Sequence, residues 1–225
     1  MRDFITCLEF LTRVRFSKRT DWRDEDFSRS VPYFPLVGLV IGFLLAAVNY
    51  SLFYIETPLF LRVTLLLLAE IIITGGLMYD GFMDTADGVF SARSRERMLE
   101  IMKDSHVGSN AVLAIIILLL LKIAAYLELS GETLTWVLLT MSVATRTFMV
   151  VFIVNFPYAR KEGIGHMFTK YAKPFYTYIA FAVCAGIIAA CGLQYLAVAG
   201  ICFTVTLIIA QYLNCLLYTS DAADE

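Results

Sequence analysis

Three carboxylates at helical spacing suggest the chemistry of this chain. Within residues 75–90, Asp80, Asp84 and Asp87 stand at i, i+4 and i+7. On a helix this spacing stacks them on one face over two turns. Like charges so placed repel one another, and a divalent cation relieves the repulsion. An all-oxygen donor set with no His or Cys in the same stretch suits Mg2+ or Mn2+ rather than zinc. Gly75, Gly76, Gly81 and Gly88 punctuate the segment; they weaken a helix interior but let backbone or ligand approach closely. Downstream, Arg93, Arg95, Arg97 and Lys103 are placed to bind phosphate oxygens, arginine as a fork and lysine as a point charge. Asp104 is a fourth carboxylate able to complete a metal site. Alternatively, Asp104 and Ser105 merely cap the helix that follows, the arginines mark a membrane flank, and the acidic stretch is a solvated loop. Taken together, the residues point to a Mg2+-dependent transferase acting on a diphosphate, its charge neutralised by metal and cations.

The elements that must hold these residues are membrane helices. Of 225 residues, 59% are hydrophobic and 17% charged, with mean hydropathy +0.73. Soluble domains carry about a quarter of their residues as Asp, Glu, Lys or Arg, so a disordered chain, a basic nucleic-acid binder and a disulfide-stapled secreted domain are excluded. A spanning helix needs about 20 apolar residues. Candidate spans run over 31–55, 59–79, 107–127 and 133–156, and the charge-free stretch 174–220 divides at 191–194 into a fifth and a sixth. If six spans alternate, 15 of the 18 Lys and Arg residues fall on one side. The positive-inside asymmetry then puts the N-terminus and the large polar loops in the cytoplasm. Phe4, Ile5, Leu8, Leu11 and Val14 give an N-terminal amphipathic helix lying at the interface. The expected architecture is all-α: a polytopic helical membrane bundle of about six spans with one interfacial helix.

Single residues inside the spans carry further expectations. Glu70 and Arg146 lie where ionised groups are costly and face a bundle interior, so they are expected to pair with each other or with site residues. Lys122 reads as a snorkelling side chain near a helix end. The five cysteines read as small buried hydrophobes, and His106 and His166 as interfacial polar residues. Lys161, Lys170 and Lys173 read as orientation charges.

The central motifs resemble those of the adenosylcobinamide-GDP ribazoletransferase, or cobalamin synthase, family. They are Gly75-Gly76-Leu77 with Asp80-Gly81, then Asp84-Thr85-Ala86-Asp87-Gly88, then Arg97-Met98-Leu99-Glu100-Ile101-Met102-Lys103-Asp104-Ser105 with Gly108. Leu11-Thr12-Arg13, Phe34-Pro35-Leu36-Val37-Gly38, Arg146 and the stretch 157–163 are similar as well. The resemblance implies that adenosylcobinamide-GDP reacts with α-ribazole or its 5′-phosphate to give adenosylcobalamin or its 5′-phosphate plus GMP. The ribazole 5′-hydroxyl would attack the phosphorus on the cobinamide arm. It further implies Asp80, Asp84, Asp87 and Asp104 as Mg2+ ligands or, for one of them, a base. Arg97, Lys103, Arg146, Arg13, Gly81 and Gly88 would bind substrate, with Arg93 and Arg95 as weaker phosphate contacts. The expected setting is a prokaryotic inner membrane, with no nucleic acid and with a homo-oligomer left open.

Two departures accompany the match. Position 78 is Met where the family pattern commonly has His, and the later glycine- and Asp-containing motif of the family is missing. The expected organisation is one transferase domain over 1–214, truncated at its C-terminus, followed by a non-native tail over 215–225. Rival readings are a CDP-alcohol type phosphotransferase, whose Asp-Gly is followed shortly by Ala-Arg where Ala86 here precedes Asp87, and a prenyltransferase, which uses two separated Asp-rich motifs. A divalent-cation transporter would want its carboxylates at mid-membrane.

Overall fold

A computed structural model describes residues 2–15, 23–129, 131–158 and 163–218, and all regular structure among them is helical. In chain order the helices are α1 (Arg2–Leu11), α2 (Asp24–Ser30), α3 (Phe34–Tyr54), α4 (Leu59–Thr74), α5 (Leu77–Phe90), α6 (Arg95–Ile101), α7 (Ser109–Glu128), α8 (Gly131–Asn155), α9 (Ile164–Thr169), α10 (Phe175–Cys191) and α11 (Leu193–Tyr218). Lys18, Arg19, Arg160, Lys161 and the end of the tail, 219–225, lie outside the described residues. The tail's first residues, 215–218, continue α11.

Four helical runs are long and apolar enough to cross a membrane: Glu25–Tyr54, which ends in α3, and then α7, α8 and α11. A fifth is counted if α4 and α5 make one broken span. The expected second span, 59–79, ends early. Gly75 (φ +69°) and Gly76 (φ +72°) both take left-handed backbone, and α5 leaves at 92° to α4. Two consecutive left-handed residues end a helix as few side chains other than glycine allow. The expected fifth span becomes α10, an apolar helix of 17 residues. Its separation from α11 falls at Gly192 as anticipated.

The pair α3–α8 is the most extensive helix contact. Gly38 and Gly42, one turn apart on α3, bring the backbones together, as small residues at this spacing do in membranes. A Cβ on Gly42 would lie 2.7 Å from Leu139 Cα, and one on Gly38 would collide with the Ser142 carbonyl. Phe168 meets Phe10 at a tilt (4.7 Å between centroids) and Phe27 (5.2 Å) and Phe34 (5.6 Å) edge to face. Cys7, Leu8 and Leu11 are buried, so the apolar face of α1 packs on protein instead of lying open at the interface. The Ser28 hydroxyl donates to the Met167 carbonyl at 2.6 Å, clamping α2 to α9.

Candidate active site

Helix α5 carries Asp80, Asp84 and Asp87 along one face, as their spacing requires. At about 100° per residue, Met78 and Phe82 lie on the opposite face, with Tyr79 and Met83 between. The segment after α1 reaches the end of α4, just before α5, through one backbone bond: Arg13 N–H donates to the Ile73 carbonyl at 2.8 Å. The Arg13 side chain then crosses Gly75 so closely that a Cβ there would collide with it. Two cavities result. One, about 540 Å3, is lined by Glu9, Arg13, Arg15, Tyr79 and Asp80. The other, about 320 Å3, is lined by Asp80, Asp84, Asp87, Lys103, Asp104 and His106. Asp80 and Met83 border both, so the basic groove and the acidic pocket adjoin along α5.

All four expected carboxylates thus share one pocket, but they do not share one task. Asp87 is 8% exposed. Its oxygens accept from the backbone N–H of Gly108 at 2.6 Å and of Ala111 at 2.8 Å. It therefore caps α7 from another helix, satisfying N–H groups that a helix start leaves without partners. Gly108 is needed for this, because a Cβ there would stand 2.5 Å from Asp87 Oδ1. Among the described residues, no three acidic, His or Cys side chains converge tightly enough to enclose a metal ion, so the expected four-aspartate ligand set does not form. Asp80, Asp84 and Asp104 still put hard carboxylate oxygens on the wall of one pocket, the donor chemistry of Mg2+ sites in which one or two carboxylates share the ion with substrate phosphates and water.

Asp104 sits in a loop with His106. The His106 backbone N–H donates to Asp104 Oδ1 at 3.0 Å, and the ring Nδ1 lies 2.6 Å from the same oxygen. The side-chain bond to His106 holds the Asp104 carboxyl below its ordinary range, and the same bond raises the His106 imidazole. His106 is an exposed polar residue that pairs with Asp104 two residues before it. Tyr79 and Arg15 also line the groove, and no motif spacing pointed to either.

Other expected substrate contacts lie elsewhere. The Arg97 guanidinium pairs with Glu100 at 2.7 Å and does not line the acidic pocket, whereas Lys103 does. Arg95 donates to the Leu217 carbonyl at the end of α11. Gly88 is there for packing, since a Cβ would stand 2.5 Å from Met102 Cγ on the segment after α6; Gly81 faces open space. Glu70 pairs with Lys122 at 2.6 Å, not with Arg146. Lys122 also donates to the Tyr79 hydroxyl at 2.9 Å, so it is half-buried and turned into the bundle, and does not snorkel.

A helical membrane bundle with carboxylates and cations on adjoining cavities fits the class of membrane-embedded transferases for a charged substrate. Within that class, a family model described as cobalamin-5-phosphate synthase matches residues 3–219, and the chain belongs to this family. Among its relatives, a protein named adenosylcobinamide-GDP ribazoletransferase from Clostridium novyi (strain NT) is 39% identical over 81% of this chain and 73% of its own length. Proteins of the same name from Desulfitobacterium hafniense (strain Y51) and Desulforamulus reducens are 40% and 38% identical, over 77% and 92% of this chain and 69% and 82% of their own. No solved structure matches the chain.

Proposed function

We infer that this chain joins adenosylcobinamide-GDP to α-ribazole, or to α-ribazole 5′-phosphate, giving adenosylcobalamin or its 5′-phosphate and releasing GMP. The supporting observation is the adjoining groove and pocket along α5, which between them are lined by Arg13, Arg15 and Lys103 and by Asp80, Asp84 and Asp104 in a chain that belongs to the cobalamin-5-phosphate synthase family. The cations hold the diphosphate of the donor by charge-assisted hydrogen bonds. Asp80, which opens onto both cavities, receives the proton of the attacking hydroxyl. An oxygen of the acceptor ribose bonds to the phosphorus on the cobinamide arm, the bond from that phosphorus to the bridging oxygen breaks, and GMP leaves with that oxygen. Atom balance corrects the expected nucleophile. When the acceptor is the 5′-phosphate and the product is still a 5′-phosphate, the 5′ oxygen is blocked, so a secondary ribose hydroxyl attacks. Mg2+ held by Asp84, Asp104 and the phosphates would neutralise charge on the transferred group.

The lipid setting is a multi-pass arrangement in the cell inner membrane with this pocket on the cytoplasmic side. That orientation is supported by the concentration of 15 of 18 Lys and Arg residues in the N-terminal segment and in 80–106 and 157–173. Purified chain in detergent or liposomes, given adenosylcobinamide-GDP, α-ribazole and Mg2+, is expected to release GMP in step with cobalamin formed. Absence of both products with a folded chain refutes the assignment. Mg2+ flux into liposomes in place of turnover supports the transporter alternative.

A further inference from the structure

A third cavity, about 520 Å3, lies on the face of α5 opposite the aspartates, between α5, α7, α8 and α11. Its walls are mainly apolar, with Met78, Phe82, Leu118, Phe148, Met149 and Phe152 among them. Its charged groups are Glu70, Lys122 and Arg146. Glu70 and Lys122 are paired at 2.6 Å, so the three groups carry one net positive charge, and Glu70 attracts Arg146 without forming an ion pair with it. Arg146 is 7% exposed. Its Nη1 donates to the Thr145 hydroxyl at 3.0 Å, and its buried Nε has no partner. A charge in such surroundings is costly without a counterion and marks a binding site when it faces a cavity. The ligand that suits this lining is an anion attached to a flat apolar body, of nucleotide size for a pocket in the usual ligand range.

We propose that this cavity is the acceptor site, with the benzimidazole of the riboside among the Met and Phe side chains and Arg146 on its 5′-phosphate. The proposal rests on the transferase reading and adds to it a residue that sets which acceptor is taken. A corrinoid is too large for 520 Å3, and the donor diphosphate already matches the cations of the groove. The connection between the sites runs along α5. Tyr79 borders both this cavity and the groove, while Asp80 borders both the groove and the acidic pocket. A riboside seated against Tyr79 therefore presents its sugar toward Asp80, where the donor phosphates lie.

The test compares α-ribazole with α-ribazole 5′-phosphate on full chain and on Arg146→Gln. The ratio of kcat/KM for phosphorylated over unphosphorylated acceptor is expected to fall on the order of thirtyfold in the variant, with the KM for adenosylcobinamide-GDP unmoved. Arg146→Lys should restore part of the ratio. Calorimetric binding of the two acceptors without donor should show the same selective loss, so the result does not depend on turnover. Met149→Trp, which fills the cavity, should weaken both acceptors together. An equal effect of Arg146→Gln on both acceptors, or a shift in the donor KM, overturns the proposal. So does competition by phosphatidylglycerol, but not phosphatidylcholine, in nanodiscs that vanishes in Arg146→Gln, since it would make the cavity a lipid site. Failure of wild-type chain to release GMP with either acceptor refutes the transferase reading instead, and the binding comparison still decides the role of Arg146.

Discussion

Replacing Asp87 by Ala separates a structural carboxylate from the reacting ones. Its two acceptor contacts serve the start of α7: Ala111 is buried, and Gly108 is half-buried. Stranding a buried N–H costs about 1–3 kcal/mol, and losing a helix cap costs about 0.5–2 kcal/mol. Taking about 2 kcal/mol for the Ala111 N–H and about 1 for the Gly108 N–H, which water can reach, Asp87→Ala should destabilise the chain by about 3 kcal/mol. For a chain of this length that lowers the unfolding midpoint by about 6–12 °C. Asp87→Asn keeps one acceptor oxygen and should lose about half as much. Gly108→Ala attacks the same cap from the other side, because its Cβ would stand 2.5 Å from one carboxylate oxygen and 2.7 Å from the other. Since Asp87→Ala removes both of those atoms, the double variant should be little worse than either single one, a strong coupling in a double-mutant cycle. Thermal unfolding in detergent, read beside turnover, is the assay. An unchanged midpoint in Asp87→Ala with turnover abolished would refute the capping role and return Asp87 to the reaction.

Further outcomes follow from other contacts. Lys122→Met leaves the half-buried Glu70 without its partner and should cost up to about 3 kcal/mol, the low end of the range for a buried pair, and adding Glu70→Gln should recover most of it; equal stability of the single and double variants would show that the pair is not coupled. The His106 imidazole is raised by Asp104, so its contribution is complete below the ordinary His pKa of about 6.5 and is lost as pH rises through the raised value. The depressed Asp104 keeps its own contribution until pH falls below the normal carboxylate range. NMR titration of the labelled histidine should give a lower midpoint in Asp104→Asn than in wild type, and identical midpoints would dismiss the pair. Gly81→Ala meets open space and should stabilise α5 by roughly 0.5–1 kcal/mol while raising the KM for the donor if substrate lies against that backbone. Gly75→Ala should instead destabilise, because φ +69° and the Arg13 side chain both oppose a Cβ.

Periodicity is a local property, and what it encoded locally was legible. The helical character of the bundle, the break near Gly192 and the shared face of Asp80, Asp84 and Asp87 all follow from spacing alone. Contacts between distant segments were not legible. Asp87 finds its partners 21 and 24 residues away, and Glu70 meets Lys122 across 52. Nothing in either neighbourhood distinguishes a capping carboxylate from a ligating one, or a snorkelling lysine from a paired one. The second span was overextended because hydropathy runs on past Gly75-Gly76, and hydropathy carries no information about backbone handedness. The amphipathic pattern of α1 is plain in its sequence, yet the surface it covers depends on Phe168, more than 150 residues later in the chain.

The meeting of α3 and α8 has a mechanical consequence. Where main chain meets main chain at Gly38 and Gly42, no side chain lies between the two helices to yield or rearrange, so this stretch behaves as a single stiff post. Any breathing needed to admit a bulky corrinoid must then come from the half of the molecule around the elbow at residues 75–76, and one added methyl group on either seam glycine would loosen the post itself.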